Sequence, residues 1–157
     1  MSAVRIFVPI DAAAQSVGAN DVAVAIAREA AQRGIDIELV RNGSRGMLWL
    51  EPLVEVETNA GRIAYGPVAP EDVASLFDVG FLAGGEHRLG HGLTEAIPYF
   101  AKQERLSFAR CGVIDPLDLV DYEAHGGLTG LRRALAMQPQ DVVAKITESG
   151  LRGRGGA

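Results

Sequence analysis

The residues with the clearest capacity for chemistry stand at the end of the chain, in Ser149-Gly-Leu-Arg-Gly-Arg-Gly-Gly-Ala157, where Arg152 and Arg154 alternate with four glycines. Glycine lets backbone N–H groups come close to an anion, and arginine offers a charge-assisted fork to a phosphate. A polar terminal tail has the same composition. His87 and His91 are four residues apart, a ligand spacing on a helix, but Gly90 and Gly92 speak against a helix there. Asp115-Pro116 with Asp118 and Asp121 is a turn and an acidic helix start, or less commonly a cation site. His125, before Gly126-Gly127, is expected to cap a turn. Cys111 stands alone, so the chain can form no internal disulfide and no cysteine-based cluster of its own; after Phe108-Ala109 it is expected to pack as a small hydrophobe. No Ser-His-Asp arrangement follows from the spacings.

These groups need elements to position them. The 157 residues carry 48% hydrophobic and 22% charged side chains, enough for one ordinary domain or two small ones. A net charge of −5 leaves no cationic excess for a nucleic-acid backbone or an anionic bilayer, so neither is an expected partner. The single cysteine fits a reducing cytoplasm, and the start, which alternates like a strand and lacks a signal-peptide or membrane run, leads to the expectation of a soluble protein. Residues 4–10 form a strand with Val4, Ile6 and Val8 on one side. Residues 21–33 form a helix through Val22, Ile26 and Ala30, with Asn20 as N-cap and Gly34 as terminator. Residues 35–40 alternate again. Residues 53–58 and 62–65 form a hairpin around 59–61, and Pro70 opens a short helix through Val73, Leu76 and Phe77.

This order predicts an α/β layer close to the thioredoxin type over residues 1–79. The glycine-rich stretch 80–92 is expected to be a linker, and residues 93–157 a second region with a thin core. Within it, 127–137 and 139–148 are helix candidates. The first is expected to use Leu128, Leu131 and Leu135; the second begins at Pro139 and is expected to bury Val142, Val143 and Ile146.

Residues 105–157 resemble the opening of the flavin- and NADH-binding subunit of respiratory complex I and its relatives, the diaphorase subunits of NAD-dependent formate dehydrogenases and NAD-reducing hydrogenases. The resemblance is carried by FARCGVIDPLDLVDYEAHGGLTGLRRALAMQPQDVVAKITESGLRGRGGA. In that family the glycine run continues into GFPTG, opens the nucleotide-binding α/β domain and wraps flavin mononucleotide (FMN) and the incoming nicotinamide. It implies Gly153, Arg154, Gly155, Gly156 and Ala157 as cofactor-binding residues. On the same resemblance the chain is expected to be the N-terminal part of a longer protein carrying FMN, NAD and a [4Fe–4S] cluster. Residues 1–157 alone are expected to be inactive and to hold no cofactor tightly.

Residues 1–79 resemble the thioredoxin-like [2Fe–2S] domain that accompanies such flavin subunits, in a register set by Gly18, Gly46, Pro52 and Tyr65-Gly66. The four cluster-cysteine positions fall on Pro9, Ala14, Ser44 and Leu48, which supply no thiolate, so no [2Fe–2S] cluster is expected there. A cysteine-free front domain fused ahead of a flavin module resembles the beta subunit of soluble NAD-dependent formate dehydrogenases. The implied partners are the iron–sulfur and catalytic subunits of a multi-subunit dehydrogenase. The other reading is a non-catalytic thioredoxin-like domain that docks a neighbouring subunit.

Overall fold

The computed structural model describes residues 3–153 and 155. Two compact units divide after Asp118.

The first unit opens with strand β1 (Val4–Phe7), helices α1 (Ala12–Ser16) and α2 (Ala19–Arg33), and strand β2 (Ile37–Val40), which lies parallel to β1. Asp11 starts α1 by accepting the N–H groups of Ala13 and Ala14 at 3.0 and 3.3 Å. The α2 cap is Gly18, not Asn20. Asn20 sits inside the first turn, where its Oδ1 accepts Arg41 Nη2 at 2.7 Å. Gly34 ends α2 at φ 65°, a conformation costly for any residue with a Cβ. The stripe Val22, Ile26 and Ala30 is buried as the spacing predicts.

The hairpin is β3 (Val54–Thr58) and β4 (Gly61–Tyr65), with Val54 opposite Tyr65. A 3₁₀ turn at Pro70–Asp72 leads into α3 (Val73–Asp78), and the Asp72 carboxylate accepts the Ala69 N–H at 3.0 Å. The strand order β2-β1-β3-β4, with β1 and β2 parallel and the hairpin antiparallel to them, is the thioredoxin-type arrangement foreseen from the sequence.

Residues 80–92 differ from the expected linker. Phe81–Ala83 form a 3₁₀ turn, and Gly90–Leu93 form β5, which pairs antiparallel with β4 as the fifth strand. The glycines serve shape. A Cβ at Gly85 would fall on the Val79 carbonyl, and the Gly85 carbonyl accepts the Tyr65 hydroxyl at 2.8 Å. Phe81 is fully buried, 4.9 Å from the Phe77 ring and 5.8 Å from that of Tyr65. The unit therefore continues to Asp118, and residues 93–118 belong to it.

Each face of the sheet has its own core. Ile6, Val8, Val54, Val56 and Tyr65 pack with α2, α3 and Phe81 on one face. On the other, Ala64 packs with Met47, Leu50, Leu53, Ile97 and Phe100. Pro98 begins a short helix, α4 (Pro98–Ala101), and α4 delivers Phe100 to that second core.

The second unit holds α5 (Leu119–Ala124), α6 (Thr129–Leu135) and α7 (Pro139–Glu148). The last two match the predicted helices, but their apolar stripes are not buried. Leu131, Leu135, Val143 and Ile146 are exposed, at 78% for Leu135 and 66% for Val143, while Leu128 and Val142 are half-buried. Three short helices without a sheet cannot enclose both stripes. His125 follows α5 and turns back on it, its N–H donating to the Asp121 carbonyl at 3.2 Å.

Candidate functional site

Pro9, Ala14, Ser44 and Leu48 lie on the loop after β1, on α1, and on the segment leading to a 3₁₀ turn at Leu48–Leu50. Pro9 and Ala14 are buried and Leu48 is exposed. The Ser44 hydroxyl is committed, donating to Glu51 Oε1 at 2.6 Å. A [2Fe–2S] cluster does not fit this donor set, because its irons need thiolates or imidazoles. Among the described residues no group of three His, Cys, Asp or Glu could hold a metal ion.

The Ser44 partner is itself unusual. Glu51 is buried, and this loss of water pushes its carboxyl pKa up; the Asp11 and Glu55 charges push the same way, while hydrogen bonds from Ser44 and the Leu53 N–H oppose. A carboxyl that holds its proton more tightly when folded stabilises the fold at low pH. That contribution is full below the ordinary value of 4.5 and is lost as pH rises through the higher folded value. Glu51→Gln is expected to flatten the decline in stability above pH 4.5, measured by urea midpoints between pH 4 and pH 8. An unchanged slope would refute this account of Glu51.

The most concentrated electrostatics lie beneath the second core. Glu55 is 1% exposed and grips Arg45, 3% exposed, through two bonds: Arg45 Nη2 to Oε1 at 2.9 Å and Nε to Oε2 at 3.2 Å. Arg62 approaches the same carboxylate at 3.8 Å and stacks 3.3 Å over the Phe7 ring. Its guanidinium donates to the Gly112 and Val113 carbonyls at 3.0 and 2.6 Å. Burial lowers its pKa to about 10, with Glu55 opposing, so it stays cationic at neutral pH. Asn42 adds a bond to the Gly112 carbonyl at 2.7 Å. Such a network costs desolvation and depends on complete pairing. It was not foreseen. The available signal was a carboxylate set between two valines, Val54 and Val56, at the start of the hairpin.

The remaining candidates take structural places. His87 Nδ1 accepts the Leu89 N–H at 3.3 Å, which makes Nε2 the protonated nitrogen of the neutral ring facing Ser75 Oγ at 3.0 Å. The Ser75 hydroxyl donates to the Asp72 carbonyl at 2.8 Å. This orientation is the reverse of a base taking a proton from serine. His91 bonds the Gly66 carbonyl at 2.8 Å. Asp115 Oδ1 accepts the Leu117 N–H at 2.8 Å, the turn reading of that motif. Cys111 is exposed and so does not pack as the small hydrophobe expected; its neighbours Gly112 and Ile114 turn inward instead.

In the terminal run, Arg154, Gly156 and Ala157 lie outside the described residues. At Gly153 and Gly155 an added Cβ would meet no atom of the described residues within 4 Å.

No protein-family model matches the chain. It is similar to the NADP-reducing hydrogenase subunit HndC of Solidesulfovibrio fructosivorans, 50% identical over 56 residues, 36% of this chain and 11% of that protein. It is also similar to an NADH-quinone oxidoreductase subunit of Streptomyces coelicolor, 64% identical over 36 residues, 23% of this chain and 8% of that protein. The chain thus spans about a tenth of these curated relatives. Among solved structures, the thioredoxin-like [2Fe–2S] ferredoxin of Aquifex aeolicus aligns at a TM-score of 0.48 and 20% identity, covering 59% of this chain and 99% of the ferredoxin. A second structure of that ferredoxin aligns at 0.48, covering 57% and 91%. No helix among the described residues is long and apolar enough to cross a membrane.

Proposed function

We propose that the chain is the N-terminal part of a diaphorase subunit that moves electrons between NAD(H) and FMN, in a cytoplasmic NAD-dependent formate dehydrogenase. The observation that supports this most is the 64% identity over 36 residues to an NADH-quinone oxidoreductase subunit, in a chain that also carries a thioredoxin-type sheet. Bound FMN would supply the chemistry, taking two electrons from a nicotinamide and passing them singly to iron–sulfur centres. The chain's own share is binding. Backbone N–H groups at Gly153 and Gly155 would meet the phosphate, with Arg152 next to them in sequence as a cation. Arg154, Gly156 and Ala157 complete the proposed cofactor run. The [4Fe–4S] cluster of the proposed parent lies outside the residues that this chain supplies.

The test is NADH-dependent dye reduction by the full reading frame, assembled with its partner subunits and loaded with or without FMN. Activity that requires FMN is expected, with formate driving the reverse flow onto NAD. Failure of the FMN-loaded protein to oxidise NADH would sink the diaphorase reading, and hydrogen replacing formate as donor would sink only the formate assignment.

A second reading has its own support. Trp49 and Tyr99 meet edge to face at 4.8 Å while remaining 58% and 50% exposed, beside exposed Leu48. Rigid exposed aromatics of this kind favour a docking role for the first unit, one that needs no cofactor. Both roles are compatible in one protein.

A further inference from the structure

We propose that the cavity between Arg45, Phe100 and Arg105 is a binding site for a small carboxylate. The cavity is an open cleft of about 300 Å³ within the first unit, and its lining includes Arg45, Glu95, Phe100, Gln103, Arg105 and Val113. Its chemistry is set by how the two arginines are used. Arg45 gives Nε and Nη2 to the buried Glu55, which fixes the guanidinium plane and leaves Nη1 directed elsewhere. That Nη1 donates to Glu95 Oε1 at 3.2 Å, although the Glu95 side chain is 69% exposed and reaches in from the surface. The chain itself therefore demonstrates that a carboxylate is accepted at this spot. Glu95 holds it weakly, through one bond and at the cost of ordering an otherwise solvated side chain.

Arg105 supplies the second half. Its guanidinium lies 4.4 Å from the centre of the Phe100 ring, and the Arg45 guanidinium lies 5.3 Å from the same ring. The ring fixes both cations and removes water from part of each. Arg105 has no carboxylate partner among the described residues. Glu55 and Glu95 pair with Arg45, and Glu55 also faces Arg62, so the carboxylates near the cavity are taken by arginines other than Arg105. A carboxylate entering the cavity displaces Glu95 from Arg45 Nη1, gains a charge-assisted fork from Arg105, and has the Gln103 amide within the same lining. The cavity volume lies at the small end of ligand sites, which suits a short mono- or dicarboxylate.

Displacement gives the site a distinctive signature, because Glu95 competes with the ligand. Titration of the whole chain with succinate at constant ionic strength, followed by the arginine Nε–H resonances in NMR, is expected to shift Arg105 and Arg45 saturably. Glu95→Gln removes the competitor and is expected to tighten binding about fivefold, while Arg105→Gln is expected to weaken it about tenfold or more. Both positions are outside the buried network, and thermal melts check that each variant folds. Absence of a saturable shift would overturn the proposal. So would equal shifts from phosphate or chloride, which would mark a general anion effect, or an affinity that Glu95→Gln leaves unchanged or lowers.

Discussion

Glu55→Ala is expected to destabilise the first unit by about 3–5 kcal/mol, because it leaves Arg45 charged, buried and without its bidentate partner. The loss also removes the carboxylate that faces the Arg62 guanidinium at 3.8 Å, and weakens the grip on residues 112–113. Urea unfolding reads the effect as a lower midpoint at an unchanged slope. The complementary variant separates a charge penalty from lost packing. Arg45→Met combined with Glu55→Leu removes both charges of the pair and is expected to recover part of the stability, since an apolar pair avoids its desolvation cost while Arg62 still lacks its carboxylate. A loss below about 1 kcal/mol in Glu55→Ala would mean that water screens the pair as at a surface, contrary to its burial.

Phe81→Ala is expected to cost a similar amount, about 3–5 kcal/mol, by opening a cavity between Tyr65 and Phe77. The position is informative because it lies in the stretch that composition alone marks as a linker, where the same change would cost almost nothing. Amide exchange offers an independent check: the Gly66 N–H donates to the Leu89 carbonyl at 2.9 Å, so it is expected to exchange with the sheet in the wild type and markedly faster in the variant. Little stability loss together with fast exchange of Gly66 in the wild type would restore the linker reading.

The two experiments fall where the sequence was hardest to read. The βαβ opening was legible because Val4, Ile6 and Val8 keep period two, Val22, Ile26 and Ala30 keep the helical period, and Gly34 stops the helix between them. The hairpin was legible from its polar turn, and α7 from Pro139. Glycine density misled at 80–92 because composition does not distinguish a flexible chain from a tight turn; Gly85 is required by the nearness of the Val79 carbonyl, a contact that exists only once the chain has folded. The Arg45–Glu55–Arg62 network was invisible for a related reason. Its members come from a loop and two strands, and nothing local about Arg45 distinguishes it from a solvated arginine. Asn20 was a sound cap by residue type, but α1 precedes it and leaves Gly18 to make the turn. The exposed faces of α6 and α7 show that helical period alone does not guarantee burial.

The Arg62 clamp on Gly112 and Val113 also has a mechanical consequence. These carbonyls lie only a few residues before the first unit ends at Asp118. Tension applied through the chain from Leu119 onward reaches this clamp before it reaches β5, and through Arg62 it enters β4. Two charge-assisted bonds, backed by the Phe7 ring, must then slip before a strand can be peeled from the sheet. Arg62 thus works as strain relief at the root of a cable, handing a pull on the segment beyond Asp118 to the interior strand β4 rather than to the edge strand β5.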